Sequence, residues 1–360
     1  MDVEERLQLT VRGVAEVVRL EELRELLETV ERPKAYWGFE PSGLMHIGTG
    51  LICGSKIADM VEAGFEFTIF LADWHAWINN KFGGDLEKIR VAGEYFKDCF
   101  KALGIDESKV RYMWASELVD DVEYWETVLR LGKLFSLRRV RRALPVLGRG
   151  MSEEVAETAW LIYPLMQAAD IVKLGLDCVC AGMDQRKVHM LVREAAKKIG
   201  MKPPVCIHTP LLRGLKQVSM EGRFDEDERL DREIRTKMSK SVPDSCIFMH
   251  DSPEDIRRKL RAAYCPPRSV EDNPVMDMAR LIVFRHLPEL RVEREEKYGG
   301  PVTFRSYGEL EKAYVSEKLH PLDLKMAVAD ALVEILKPVR EYFERHPKNL
   351  ERVVTLEVTR

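Results

Sequence analysis

Lys237 and Lys240 stand in the run Lys237-Met238-Ser239-Lys240-Ser241, two cations interleaved with hydroxyls and no glycine. Ammonium groups beside serine hydroxyls suit a polyphosphate, since each lysine brings a compact charge and each serine a donor. A second candidate lies far upstream, in Tyr36-Trp-Gly38-Phe-Glu-Pro-Ser-Gly-Leu-Met-His46-Ile-Gly48-Thr49-Gly50. Pro41 fixes φ and Gly43 tolerates positive φ, so the apolar run before them breaks into a turn. The apolar spacing from Leu51 to Val61 then predicts a helix, with His46 at its mouth and Gly48 open to close approach. Strand, tight turn and helix N-terminus together predict an anion site of free backbone N–H groups and the positive end of the helix dipole. Each motif taken singly also fits a plain surface loop or turn.

Residues so far apart need a scaffold that brings them together. Dense β-type runs at 35–39, 65–72, 109–114, 177–181 and 205–212 alternate with helical spacing, as over 86–103. No tight hairpin joins them, so they predict an α/β fold with a Rossmann-type, doubly wound parallel sheet. Residues 117–160 lack strand signals, carry the basic cluster Arg138-Arg-Val-Arg-Arg142 and predict a helical insertion, with a helix start at Ser152. The leucine spacing within residues 1–33 (Leu20, Leu23, Leu26, Leu27) predicts an N-terminal helical segment. The charge-dense stretch 214–235 predicts a mobile, solvated excursion. Past it, Asp251-Ser-Pro-Glu-Asp opens a capped helix, and Leu324, Val328, Ala331, Leu332, Ile335 and Val339 continue another beyond Pro321. The expected division is an N-terminal segment at 1–33, a catalytic domain at 34–245 holding the 237–241 loop, and a mainly α-helical domain at 246–360. Ligands of such sheets bind at the carboxyl ends of the strands, where the two motifs would face each other across the crevice.

Composition narrows the class. The chain has 360 residues, 46% hydrophobic and 32% charged, with a formal charge of −4. That balance suits a soluble protein and argues against a uniformly basic coat for DNA, while leaving room for local basic patches. No apolar run approaches the ~18–20 residues of a membrane span, and the acidic Met-Asp-Val-Glu-Glu start is unlike a secretory leader. Seven cysteines, odd in number and without a CxxC pair, predict a reducing, cytoplasmic setting and no structural metal site.

Taken together, the two motifs resemble the paired signatures of class I aminoacyl-tRNA synthetases. The match widens through Leu71-Ala-Asp-Trp-His75, Tyr163-Pro-Leu-Met-Gln167-Ala-Ala-Asp170, Gly182-Met-Asp-Gln185-Arg186-Lys187-Val-His189 and His320-Pro-Leu-Asp323. In their order, across about 34 to 340, these segments look like the archaeal/eukaryotic-type tyrosyl-tRNA synthetases. That resemblance implies activation of tyrosine by ATP to tyrosyl-adenylate, then transfer to the 3′-terminal adenosine of tRNA(Tyr). It implies Mg²⁺ arriving with ATP, no protein-bound metal, and a homodimer formed through the insertion.

By the same resemblance, His46, Lys237 and Lys240 are catalytic, and Gly38, Gly48, Thr49, Met238, Ser239 and Ser241 complete the ATP contacts. Tyr36 and Asp170 meet the substrate phenol, while Tyr163, Gln167 and Gln185 surround its ammonium; Tyr163, Gln167 and Asp170 also fit a single helix face by spacing alone. Arg142, Arg186, Lys187 and Met190 would meet the acceptor stem, and Tyr298, His320, Pro321 and Asp323 the anticodon, where an aromatic can stack on an unpaired base. The family's first motif ordinarily ends in a second histidine, where this chain has Thr49, able to hydrogen-bond but not to carry charge. Two rivals remain. A tryptophanyl-tRNA synthetase shares the architecture, but an indole offers no phenol oxygen to Tyr36 and Asp170. A non-catalytic tRNA-binding paralogue would have no use for His46, Lys237 and Lys240.

Overall fold

The computed structural model describes residues 1–147, 157–216 and 225–356. Six strands form one sheet, in spatial order β1 (Glu16–Val18), β6 (Val205–Thr209), β5 (Cys178–Gly182), β2 (Lys34–Phe39), β3 (Glu66–Leu71) and β4 (Val110–Trp114). β2 to β6 run parallel and coincide with the five β-type runs. β1 corrects both the all-helical reading of residues 1–33 and the purely parallel sheet. It lies between helices Val3–Val11 and Leu20–Thr29 and pairs antiparallel with β6, Val17 opposite Ile207. Three residues among charges give no local strand signal; the edge of β6 supplies the hydrogen bonds that define β1. The chain winds outward through β2, β3 and β4, then returns to set β5 against the other side of β2. The switch point therefore lies between β2 and β5.

Strand alternation sends neighbours to opposite faces. Ala35, Trp37 and Phe39 enter one apolar cluster with Tyr95, Phe96 and Phe100 of the helix Leu86–Ala102. Tyr36 enters another with Phe70, Met113 and Val179, covered by helices Val122–Leu134, Thr158–Lys173 and Arg186–Ala196. The second of these helices carries Tyr163, Gln167 and Asp170, so strand phase alone turns Tyr36 toward them. The insertion is helical as expected over its described residues; the helix start at Ser152 lies outside them.

The charged stretch behaves otherwise than its composition suggests. Residues 217–224 lie outside the described ones, but Glu228–Thr236 is a helix capped by Asp227, whose carboxylate accepts from the N–H groups of Arg229 and Leu230. Ile234, Asp225 and Asp231 are buried, so this half is docked onto the protein rather than solvated. The cap was present in the sequence, hidden by the density of charge around it.

From 246 onward, helices Pro253–Ala262, Pro321–Ile335, Lys337–Arg345 and Lys348–Val354 dominate, with a short hairpin of Leu290–Val292 and Val302–Phe304. The first apolar cluster runs without a break from Leu7 to Val353. Tyr95 stacks on Phe343 at 5.5 Å, and Asp98 accepts from the Tyr342 hydroxyl and the Asn349 amide at 3.1 and 2.8 Å. No helix among the described residues is long and apolar enough to cross a membrane.

Candidate active site

β2 ends at Phe39, and the turn through Gly43 (φ +110°) leads to His46. His46 is held by a bridge to Phe248: Ile47 N–H donates to the Ile247 carbonyl (2.9 Å) and Met249 N–H to that of Met45 (3.0 Å). Gly48–Cys53 then winds as a wide π-turn before the regular helix Gly54–Glu62. The turn needs Gly50, where a Cβ would fall 2.1 Å from Met249 Sδ. The N–H groups of Thr49 and Gly50 donate to the His46 carbonyl, at 3.0 and 2.8 Å. The predicted row of free N–H groups is thus largely spent inside the protein, because the helix mouth is anchored to segment 247–249. Positive charge must come from side chains instead.

His46 Nδ1 also accepts from Thr49 N–H at 3.3 Å, which leaves the ring proton on Nε2. Burial first, then the charges of Lys240 and Lys237, push its pKa down to about 3. At neutral pH the ring is an uncharged donor.

A cavity of about 380 Å³ opens at the switch point. Gly38, His46, Gly48 and Thr49 line it from the β2 side, Lys237 to Ser241 from the loop, with Tyr163 and Gln185 in the wall. The loop is fixed where Met238 N–H donates to the Leu212 carbonyl (2.6 Å), and Lys237 pairs with Asp184 at 2.7 Å. Lys240 donates to the Ser42 hydroxyl. Burial and the nearby Lys81 lower its pKa to about 7, against the pull of Glu40.

Two carboxylates of this wall escaped the sequence reading. Asp184 follows β5 and meets Lys237; Glu40 follows β2, accepts from the Tyr163 hydroxyl and the Asn79 amide, and faces Lys81 at 3.6 Å. Both stand inside the quoted motifs, but an acid near a predicted phosphate site draws no notice until its lysine partner is seen.

Tyr36, Gln167 and Asp170 lie behind the cavity wall. Asp170 is buried, accepts from the Tyr124 hydroxyl at 2.8 Å, and has its other oxygen 3.1 Å from His75 Nε2. His75 stands edge-on to the Tyr163 ring, centroids 5.0 Å apart. Burial lowers the His75 pKa, but the Asp170 carboxylate outweighs it and the net shift is upward. Burial, with Asp170 adding, holds the Tyr36 hydroxyl protonated far above its usual range. Gln167 Nε2 donates to Gln185 Oε1 at 3.3 Å, while its own Oε1 is buried without a hydrogen-bond partner. Tyr124 was not singled out from sequence, since its spacing with Val128 and Leu131 matches an ordinary core stripe.

The acceptor-stem candidates share one surface, and each cation there meets an acid. Arg142 pairs with Glu226 (2.7 Å), Lys187 with Asp225 (2.9 Å), and Arg186 with both oxygens of Glu16 (2.7 and 2.8 Å). Hydrogen bonds from His208 and then Arg186 outweigh burial and hold the Glu16 pKa at about 2. Met190 is half-buried against the second apolar cluster. In the C-terminal part, Tyr298 is 63% exposed with Lys297 over its ring. His320 caps Pro321–Ile335, accepting from Leu322 N–H at 3.2 Å, with Asp323 in the first turn. Arg294, which sequence reading passed over, donates to the carbonyls of Gly300 (2.6 Å) and Lys318 (2.8 Å), tying the Tyr298 loop to the segment before His320.

The family model for tRNA synthetases class I (W and Y) matches residues 28–226 and 230–337, and the chain belongs to that family. Its near relatives there are tyrosine enzymes. It is 46% identical to a tyrosine–tRNA ligase of Pyrococcus abyssi over the whole of both chains. A crystal structure of tyrosyl-tRNA synthetase complexed with L-tyrosine from Pyrococcus horikoshii is 46% identical, covers 99% of this chain and 100% of its own, and superposes with a TM-score of 0.90. A tryptophanyl-tRNA synthetase from Aeropyrum pernix K1 reaches a TM-score of 0.67 at 20% identity over 95% of this chain and 85% of its own, a likeness of fold alone.

Proposed function

We infer that the chain is a tyrosine–tRNA ligase, joining tyrosine to ATP as tyrosyl-adenylate with release of pyrophosphate, then passing the tyrosyl group to the 3′-terminal adenosine of tRNA(Tyr). The cavity at the switch point, with His46 and Lys237–Lys240 facing each other across it, is the observation that supports this most. In this mechanism the protein aligns a carboxylate with the α-phosphate and steadies charge on the leaving phosphates. His46 donates from Nε2 as a neutral ring, and Lys237 and Lys240 leave Asp184 and Ser42 to meet the β and γ groups. The buried, unpartnered Gln167 Oε1 suits the substrate ammonium, and Asp170 the phenol.

Mg²⁺ enters with the nucleotide as part of the substrate. The lining carboxylates Glu40 and Asp184 already face lysines, and among the described residues no group of three acidic, histidine or cysteine side chains could hold a metal. Residues 34–245 would perform the chemistry and 246–360 would read the anticodon through Tyr298, His320, Pro321 and Asp323. Arg142, Arg186, Lys187 and Met190 would take the acceptor stem, with their carboxylate partners yielding to phosphates. Val122 and Leu129, seven residues apart on one helix and 83% and 69% exposed, supply an apolar stripe for a homodimer working in the cytoplasm.

Exchange of radiolabelled pyrophosphate into ATP, run with each standard amino acid and followed by charging of tRNA(Tyr), tests the proposal. Tyrosine alone should drive exchange. Exchange with tryptophan instead would give the chain to the rival specificity, and tRNA binding without any exchange would make it a non-catalytic paralogue.

A further inference from the structure

A second cavity, of about 400 Å³, lies where the N-terminal segment, the helix Gly54–Glu62 and residues 280–285 converge. Its wall holds Arg12, Lys56, Arg280 and Arg285 against a single carboxylate, Asp59. Asp59 is overcommitted: Arg12 and Arg285 each reach its Oδ1 through one terminal nitrogen, and Lys56 lies 3.2 Å from Oδ2. Lys56 is 3% exposed and spends its other donors on the carbonyls of Leu9 (3.1 Å) and Thr10 (3.0 Å). Its charge is locked in place beside the cavity.

The arginines are differently placed. Beyond the one nitrogen each gives to Asp59, the side chains of Arg12 and Arg285 make no other hydrogen bond among the described residues, and that of Arg280 reaches only Asp277, at 3.3 Å. Their side chains are 45%, 22% and 50% exposed, so the unspent guanidinium edges are open to a ligand. Ser55, in the same wall, adds a hydroxyl 3.0 Å from His286 Nε2. Three cations share the one acid Asp59, and Arg280 stands in the same wall on a 3.3 Å contact to Asp277, so positive charge is in excess in a partly desolvated site and an anion relieves the repulsion. Guanidinium forks match the oxygen geometry of phosphate, and multiply charged phosphates gain most from several forks at once.

We propose that this cavity is a second anion site, binding a small multiply charged phosphate such as inorganic pyrophosphate. Thr209 at the end of β6 belongs to the walls of both cavities, so the site adjoins the crevice at the switch point without sharing its lysines. The proposal stands on the charge imbalance and does not depend on the ligase activity.

Equilibrium dialysis of radiolabelled pyrophosphate against the full chain tests it. In a Lys237→Ala/Lys240→Ala background the first cavity loses its two loop cations, and residual pyrophosphate binding that depends on the second cavity's arginines is expected. Adding Arg12→Gln and Arg280→Gln should weaken that residual binding about tenfold or more, the loss expected for charge-assisted hydrogen bonds. Arg280→Gln alone removes only a half-exposed contact to Asp277 and should weaken binding several-fold, which keeps the readout should the double change unfold the chain. No residual binding in the lysine-free background, or residual binding indifferent to the arginine changes, overturns the proposal. Displacement by ATP would assign the site to a nucleotide's phosphate tail and resistance to ATP would assign it to the free anion; both outcomes support a phosphate site there.

Discussion

Asp170→Asn keeps the shape of a buried side chain and removes its charge. The carboxylate accepts from Tyr124 at 2.8 Å, lies 3.1 Å from His75, and faces the region assigned to the substrate phenol. An amide retains one acceptor oxygen, so Tyr124 can keep its bond, but the NH₂ turns a donor toward a partner that also donates. A hydrogen bond to a charged group contributes about 1.5–3 kcal/mol. Losing it should lower kcat/KM for tyrosine by ~10- to 150-fold, at about 1.4 kcal/mol per decade. Phenylalanine makes no such bond, so its kcat/KM should stay level or rise once the buried acceptor is less costly to leave unpaired. Exchange of pyrophosphate into ATP with each amino acid measures both, and a thermal melt controls for folding. An unchanged tyrosine-to-phenylalanine ratio in a folded Asp170→Asn protein would falsify the phenol assignment.

Lys240, lowered to about 7, is largely neutral in the free protein at about pH 8, and phosphates favour its charged form. ATP binding should therefore take up a proton at about pH 8 and not at about pH 6; calorimetry in buffers of different protonation enthalpy reads this, and buffer-independent heats at the higher pH would refute it. The folded pKa lies below the unfolded one, so Lys240 costs stability that is fully felt below the folded value and fades as pH rises toward the unfolded value. Lys240→Met should accordingly raise Tm at about pH 6 while abolishing exchange. Glu40→Gln removes the carboxylate that holds the Lys240 pKa up and orients Tyr163, so the acid-side onset of proton uptake should move to lower pH and the KM for tyrosine should rise; an unaltered profile contradicts this. Gly50→Ala drives a Cβ into Met249 and should cost about 1–3 kcal/mol in urea unfolding, partly restored by Met249→Ala. A neutral Gly50→Ala would show that the π-turn can widen further.

How legible the molecule was depends on whether a feature is local. The five parallel strands announce themselves because buried parallel strands are dense in apolar and β-branched residues, and strand parity puts Tyr36 on the face that Asp170 covers. β1 was invisible, since three residues become a strand only when β6 offers an edge. The lysines of 237–241 stood out by type and spacing. Their restraints, Asp184 and Ser42, did not, because the loop meets them only through the sheet's winding. Of the anion site read from the helix mouth, the structure brings His46 and Gly48 to the cavity, but the backbone donors are taken by His46 itself and by Ile247. The acids opposite Arg142, Arg186 and Lys187 come from two distant segments, Glu16 and the adjacent pair Asp225 and Glu226, so no linear pattern could show that the basic patch is already neutralised.

Tyr95 touches three parts of the chain at once. Its hydroxyl accepts from Met45 N–H just before His46 and lies 3.3 Å from His250 Nδ1, and its ring stacks on Phe343. The division of labour proposed between residues 34–245 and 246–360 therefore would not make two portable modules. Exchanging the C-terminal helices for those of a relative would replace the surface against which the His46 turn is braced. A graft would have to carry the Tyr95 face of Leu86–Ala102 with it, and the two halves should melt in a single cooperative transition.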